Sequence, residues 1–576
     1  MSKRKLSPHG RLWLCLAALT ALRLVLAGQQ LAYVWVGGAP LDDELMFRAA
    51  NSISAGQWLG GYDYLTLSKA MFFPVWLALL HALHLPYLVG GAALWCAASL
   101  LAAFALRPLW AGKGAPSAAR RTAAVYAALA FLPSSWAAYT LRVYRDNIFP
   151  ALCLVFFAGW AGAALRAVLD DTANILPWLA AAGAGLACAY LTREDAGMFL
   201  LPFAAAATLI LLVTFCVQKK PRRIAGLLLP YALLAAGVLS FCGLNQRYYG
   251  VFALSDFSQG SFAAAMGAMM RVDTESEEPL LSVPQDARQK IVDAVPELQP
   301  VLAHLENDDE LRNSFYDPSV GDYRAGSYYW AIRRAAWLEG VYDTPQQAAE
   351  FWQNAADAIN AACDAGILPS RTGRRVATNQ PFRAALVPDI LRETAAGFAH
   401  ALFFADCPPQ ESLLSLANPD NTAVYTAYLH GGLNGSAQAG TDKPYYSPVQ
   451  RAAYAVMNAI CAVYRYILWL LLAAAVVRHL TGVRRVCTAP APQTAVPWLL
   501  LFGLLGMAVL RCAMIAFVEV SSFGIGTSTM YLATVHPLLV LFTAAALADA
   551  EIPFKKHKEK PTNNPSIRQR GMTTKH

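Results

Sequence analysis

The stretch "LRVYRDNIFPALCLVFFAGWAGAALRAV" (141–168) decides the fold. It opens on Arg142, Arg145 and Asp146, after which charge disappears until Arg166. A helix rises about 1.5 Å per residue, so about 20 apolar residues cross the hydrocarbon core of a bilayer. Runs of the same kind recur outward from it at 12–36, 87–107, 122–140, 175–192, 197–217 and 225–245, then at 451–477, 495–518 and 528–548. Hydrophobic residues make up 56% of the chain and charged residues 15%, which excludes an ordinary soluble domain. The fold class read from this is an all-α polytopic membrane protein of about ten transmembrane helices. The piece "FFPVWLALLHALHL" (72–85) is too short to span and reads as an interfacial or re-entrant helix.

The pattern divides the chain into four parts. Residues 1–245 form an N-terminal transmembrane block of seven spans, with a first outer loop at 37–72. Residues 246–450 form a mainly helical extracytoplasmic domain, 451–550 a C-terminal block of three spans, and 551–576 a basic, disordered cytoplasmic tail.

Orientation follows from the basic segments "RPLWAGKGAPSAARR" (107–121), "QKKPRR" (218–223), "RHLTGVRR" (478–485) and "KKHKEK" (555–560). Ten spans put all of them on the side of the N-terminal "MSKRKLSPHGR", so both termini are expected to be cytoplasmic. The net charge of +8 is mostly this bias and needs no nucleic-acid partner. Of the 11 cysteines, all but Cys363 and Cys407 lie in or beside apolar spans; those two could pair in an oxidising compartment. No CxxC or His/Cys spacing suggests zinc.

This topology gathers charge at the outer face. The first loop carries Asp42, Asp43 and Glu44, then Lys69; the next outward turn carries Arg142, Arg145 and Asp146. "LTREDAGMF" (191–199) adds Arg193, Glu194 and Asp195, and Glu519 precedes the last span. Each turn alone reads equally well as a helix N-terminus or an interfacial anchor. Arg465 and Arg511, however, lie inside spans, where charge costs at least ~2.5 kcal/mol and points to a partner or cavity. Arginine forks suit phosphate oxygens, and a carboxylate can take a proton from an attacking hydroxyl.

"DDELMFRAANSISAGQW" (42–58), "LSKAMFFPVWLALL" (67–80), "LRVYRDNIF" (141–149), "LTREDAG" (191–197) and "TMYLATVHPLLVLF" (529–542) occur in an order that resembles the GT-C superfamily of integral-membrane glycosyltransferases. That group includes the protein O-mannosyltransferases and the aminoarabinose transferases of lipid A. The last motif keeps Tyr531 and Pro537 but has Met530 where the family has Arg. The resemblance implies a bacterial plasma-membrane enzyme. Its donor would be a polyprenyl-phosphate-linked sugar, and its acceptor a glycan, lipid or protein at the outer membrane surface. It implies Asp42 or Asp43 as general base, the choice depending on whether an Asp-Asp or Asp-Glu frame (Asp43–Glu44) applies. Asp146 would support the acceptor, Lys69, Arg145, Arg193 and Arg511 would bind the donor phosphate, and Glu194 and Tyr531 would contact acceptor or sugar. Asp43 and Asp146 would permit a divalent cation, Mg or Mn, on oxygen ligands.

Within the outer domain, Thr344 and Gln347 predict a capped helix over 344–366, and 284–305 a helix broken by prolines. The stripe with Tyr328, Tyr329 and Trp330 reads as core packing or as a sugar-stacking platform. A transporter or flippase of lipid-linked glycans accounts equally for the apolar bulk and embedded arginines, although inverted-repeat symmetry is missing. A receptor or scaffold would leave the acidic first loop without a role.

Overall fold

The computed structural model describes residues 7–35, 40–170, 172–276, 278–371, 373–407, 414–415, 419–435, 446–488, 491–524, 526 and 528–548. The tail at 551–576 lies outside them. Among the described residues every regular element is a helix, and seven helices are long and apolar enough to cross a membrane. They are Pro8–Gly28, Tyr87–Ala105, Arg145–Leu169, Ala196–Val217, Pro221–Tyr249, Pro448–Thr488 and Pro492–Phe523. The chain is an integral membrane protein.

A bent pair of helices is an eighth candidate span. Ala115–Ala130 and Pro133–Leu141 meet at 52°, because Pro133 has no N–H to continue the helix ladder. The buried Arg23 of the first helix caps the break, donating from Nε to the Ala130 carbonyl (3.1 Å) and from Nη2 to that of Ser135 (3.0 Å). The expected spans at 175–192 and 528–548 are helices Leu176–Tyr190 and Val535–Ala548, of 15 and 14 residues. At 1.5 Å per residue both fall short of a 30 Å core, so length alone supports seven or eight spans, not ten. Phe72–Ala82 is a separate short helix of 11 residues.

The first span also ends early. Its helix stops at Gly28, and the segment expected to finish it runs extended, with Tyr33 bridging Arg142 and Ala32 bridging Leu433. Tyr33 donates to the Leu141 carbonyl and accepts from the Val143 N–H. These bonds satisfy the backbone that leaves the helix and bring the first loop alongside the second outward turn.

Two hydrophobic cores result. One runs through the membrane helices and takes in Ala401, Phe404, Tyr425 and Leu433. The other, from Phe262 to Leu368, belongs to the inserted helices. There Thr344 accepts from the Gln347 N–H at 3.2 Å to start helix Pro345–Asp364, and Gln285–Ala294 breaks before Gln299–Asn307 at Pro296. Cys363 and Cys407 are both free, buried in different cores, so the disulfide is absent. Arg465 donates to the carbonyls of Phe403, Phe404 and Ala405, capping the end of helix Val387–Leu402.

Candidate active site

Two of the basic segments, 107–121 and 478–485, meet at one end of the bundle, where Lys113 lies near Arg121 and Arg478. Acids and arginines converge at the opposite end. A short π-helical turn, Pro40–Glu44, sets Asp42 and Asp43 in different surroundings. The fully buried Asp43 accepts the Trp35 N–H on Oδ2 (2.8 Å) and Arg142 Nε on Oδ1 (2.8 Å). Asp42, with a side chain 33% exposed, pairs with Lys69 and accepts the Tyr144 hydroxyl at 2.7 Å, with Arg142 Nη2 at 3.6 Å. Lys69 Nζ lies 5.7 Å from the Tyr144 ring centroid and 5.2 Å from that of Trp330.

The turn at 193–195 supplies the second half. Arg145 Nη1 reaches both oxygens of Glu194, at 3.0 and 2.8 Å, and Glu194 Oε1 also accepts the Ala70 N–H at 2.8 Å. Arg193 links Asp146 (2.9 Å) to Asp195 (3.0 Å). Arg511, the arginine embedded in Pro492–Val518, closes on Asp195 at 2.6 Å and on the Tyr531 carbonyl at 2.9 Å. The Tyr531 ring lies over Arg193, 4.6 Å from its guanidinium carbon. Glu44 stands apart, exposed to solvent, although it adjoins the pair.

The network is charge-balanced. Lys69, Arg142, Arg145, Arg193 and Arg511 face Asp42, Asp43, Asp146, Glu194 and Asp195. Buried ions persist when paired and hydrogen-bonded, which accounts for charge at this depth. Burial pushes the Asp42 carboxyl up, but the Lys69 ammonium, aided by Arg142 and Arg145, outweighs it and holds Asp42 well below the usual range. For Asp43 burial wins over Arg142, and its carboxyl lies above the usual value. Glu194 is lowered because Arg145 outweighs its burial. Burial lowers the Lys69 ammonium despite Asp42.

Some capacity is unused. Arg145 Nε, Arg511 Nη2 and Asp146 Oδ2 are buried without hydrogen-bond partners. A cavity of about 60 Å³ lined by Ala70, Met71, Tyr190, Leu191, Glu194 and Phe241 lies beside Glu194, continuing to Leu254–Gln259. Of the two carboxylates expected to permit a divalent cation, Asp43 has both oxygens taken by Arg142 and Trp35, whereas Asp146 gives Oδ1 to Arg193 and keeps Oδ2 without a hydrogen-bond partner; among the described residues no three acid, His or Cys side chains gather as a metal site.

Tyr144, which touches both Asp42 and Lys69, was not foreseen, although it stands between the charged residues of 141–149. The aromatic stripe splits between two roles. Tyr328 and Tyr329 are buried in the inserted core, whereas the half-buried Trp330 faces Lys69.

No family model and no curated protein matches the chain. Among solved structures, the crystal structure of ArnT from Cupriavidus metallidurans in the apo state is similar over 93% of this chain and 78% of its own, at 13% identity and a TM-score of 0.28. A likeness that loose carries no weight for fold or function.

Proposed function

We propose that the chain is a membrane glycosyltransferase of the GT-C type. It would move a sugar from a polyprenyl-phosphate-linked donor to a glycan, lipid or protein hydroxyl at the extracytoplasmic face. The observation that supports this best is Asp42, an accessible carboxylate beside Lys69 and near Arg142 and Arg145 of the second outward turn. The motif order in the sequence supports it independently.

In the proposed reaction the acceptor oxygen bonds to the sugar's anomeric carbon and gives its proton to Asp42. The bond from that carbon to the donor phosphate oxygen breaks, and the leaving phosphate keeps the electron pair. Lys69 and Arg145 meet the charge that develops there. Arg145 must first be freed, and its partner Glu194, with a side chain 36% exposed, is placed to swing out. Asp43 and Asp146 are buried and serve as supports. An Asp42 carboxyl held low is a weak base that stays ionised at neutral pH, so more of the catalysis falls on the leaving group.

The test is Asp42→Asn in the full chain, with transfer from a polyprenyl-phosphate-linked sugar measured at matched membrane abundance. Loss of a general base lowers transfer about 10²–10⁴-fold. Unchanged transfer at normal abundance would overturn the reading. Precursor stranded on the cytoplasmic leaflet would identify a flippase instead.

A further inference from the structure

Helix Ala325–Leu338 of the inserted domain lays one stripe, Gly326, Trp330, Arg333 and Trp337, across the membrane block. A Cβ on Gly326 would lie 2.8 Å from the Phe523 ring, so glycine lets the helix rest on the loop between the last two helices. Just ahead of it, Arg324 donates to the Phe523 carbonyl and pairs with Asp317. One turn beyond Trp330, the fully buried Arg333 donates to the Tyr64 carbonyl (2.9 Å) and pairs with Asp256 (2.9 Å). Tyr62 donates to the other oxygen of Asp256 at 3.1 Å, and Trp337 packs on the Tyr64 ring with centroids 5.5 Å apart.

Both ends of the stripe are therefore anchored, one to the last loop and one to the first. Trp330, between them, stacks on Phe257 with centroids 4.6 Å apart and meets Lys69 Nζ at 5.2 Å. Tyr144 bounds the same ammonium through its hydroxyl, which accepts from Lys69 Nζ at 3.3 Å.

We infer that Trp330 is a positioning residue: with Tyr144 it cages the Lys69 ammonium and holds it on Asp42, so the inserted domain completes a site that the membrane helices alone leave open. An aromatic face attracts a cation most when water is excluded, and Lys69 is only 6% exposed. Removing the indole would open one side of that cage to solvent. The inference rests on the transferase reading only for what the held ammonium does to a phosphate; the caging stands or falls separately.

The experiment is amine footprinting of the detergent-solubilised full chain with acetic anhydride, reading Lys69 and the partly exposed Lys290 by mass spectrometry. Trp330→Ala is expected to raise Lys69 acetylation by between about fivefold and about thirtyfold, the range from an exposed to a desolvated cation–π contact, with Lys290 unchanged. Trp330→Phe keeps an aromatic face and stays near wild type, while Trp330→Leu loses protection. Should Trp330→Ala loosen the whole domain, seen as a rise at Lys290, the Phe and Leu variants decide. Equal Lys69 labelling in those two, or no rise in Trp330→Ala with Lys290 steady, overturns the caging. Because footprinting needs no sugar donor, it can succeed even if transfer assays fail. If Trp330 cages Lys69 as inferred, a transfer assay adds a second readout, a raised KM for the donor in Trp330→Ala that Trp330→Phe restores.

Discussion

Asp42 and Asp43 are neighbours with the same side chain, yet the fold gives them opposite conditions. Asp43 is enclosed, with Arg142 and the Trp35 N–H on its oxygens, while Asp42 faces the opening beside Lys69. Replacing Asp43 by Asn removes the anion beside a buried guanidinium. Breaking a buried pair costs about 3–5 kcal/mol, so Asp43→Asn should lower membrane abundance and the unfolding temperature in detergent, whatever the substrate. Asp42→Asn takes the carboxylate from the buried Lys69 and should lower both as well, but by less, because Asp42 itself is one-third exposed. A stable Asp43→Asn protein would show that Arg142 finds another partner and that the two acids are not divided in this way. The sequence could not make the division, because both reading frames place an acid at either position. Which carboxylate is open depends on Trp35 and Arg142, which come from other segments.

At the scale of elements, helices Phe149–Leu169 and Leu176–Tyr190 pack through glycine. A Cβ on Gly185 would lie 2.6 Å from the Phe156 nitrogen, and one on Gly159 would lie 2.4 Å from the Ala182 nitrogen. Helices in lipid gain little from burying apolar surface, so close backbone approach through small residues is what holds them. Gly185→Leu is expected to force the pair apart and lower abundance several-fold. Gly506→Leu, where no atom lies within 4 Å, is the control and should be neutral. Equal abundance of the two variants would mean that the pair is not held by close approach. The positions of the helices were legible in the sequence because an apolar run is a local property. The break at Pro133 and the early end at Gly28 were less so, since the first depends on Arg23 taking up freed carbonyls and the second on Tyr33 finding Leu141 and Val143.

For the whole molecule, the ion network ties the first loop, the turns at 142–146 and 193–195, and Arg511 into one body. Asp42 and Glu194 have carboxyls held below their usual values by Lys69 and Arg145 against the pull of burial, and Asp195 is lowered likewise by Arg193 and Arg511. A depressed folded value means that the stabilisation is complete above the ordinary carboxylate value of about 4 and is lost as pH falls below it. Asp43, shifted the other way by burial, offsets part of this. Thermal unfolding of the detergent-solubilised chain should therefore show a flat unfolding temperature from neutral pH down to about 5 and a steep fall below about 4. A steep fall already near pH 6 would mean that these carboxylates do not govern the acid limit. By itself the sequence determined that the chain is helical and membrane-embedded, where most of its helices run, and that charge gathers at one end, because hydropathy and charge are carried by each residue wherever the chain goes. Only the tertiary structure decided which acid is open, which arginine meets which carboxylate, and that Trp330 of the inserted domain reaches Lys69. Those facts depend on distances between segments that lie from tens to hundreds of residues apart, and packing alone sets such distances.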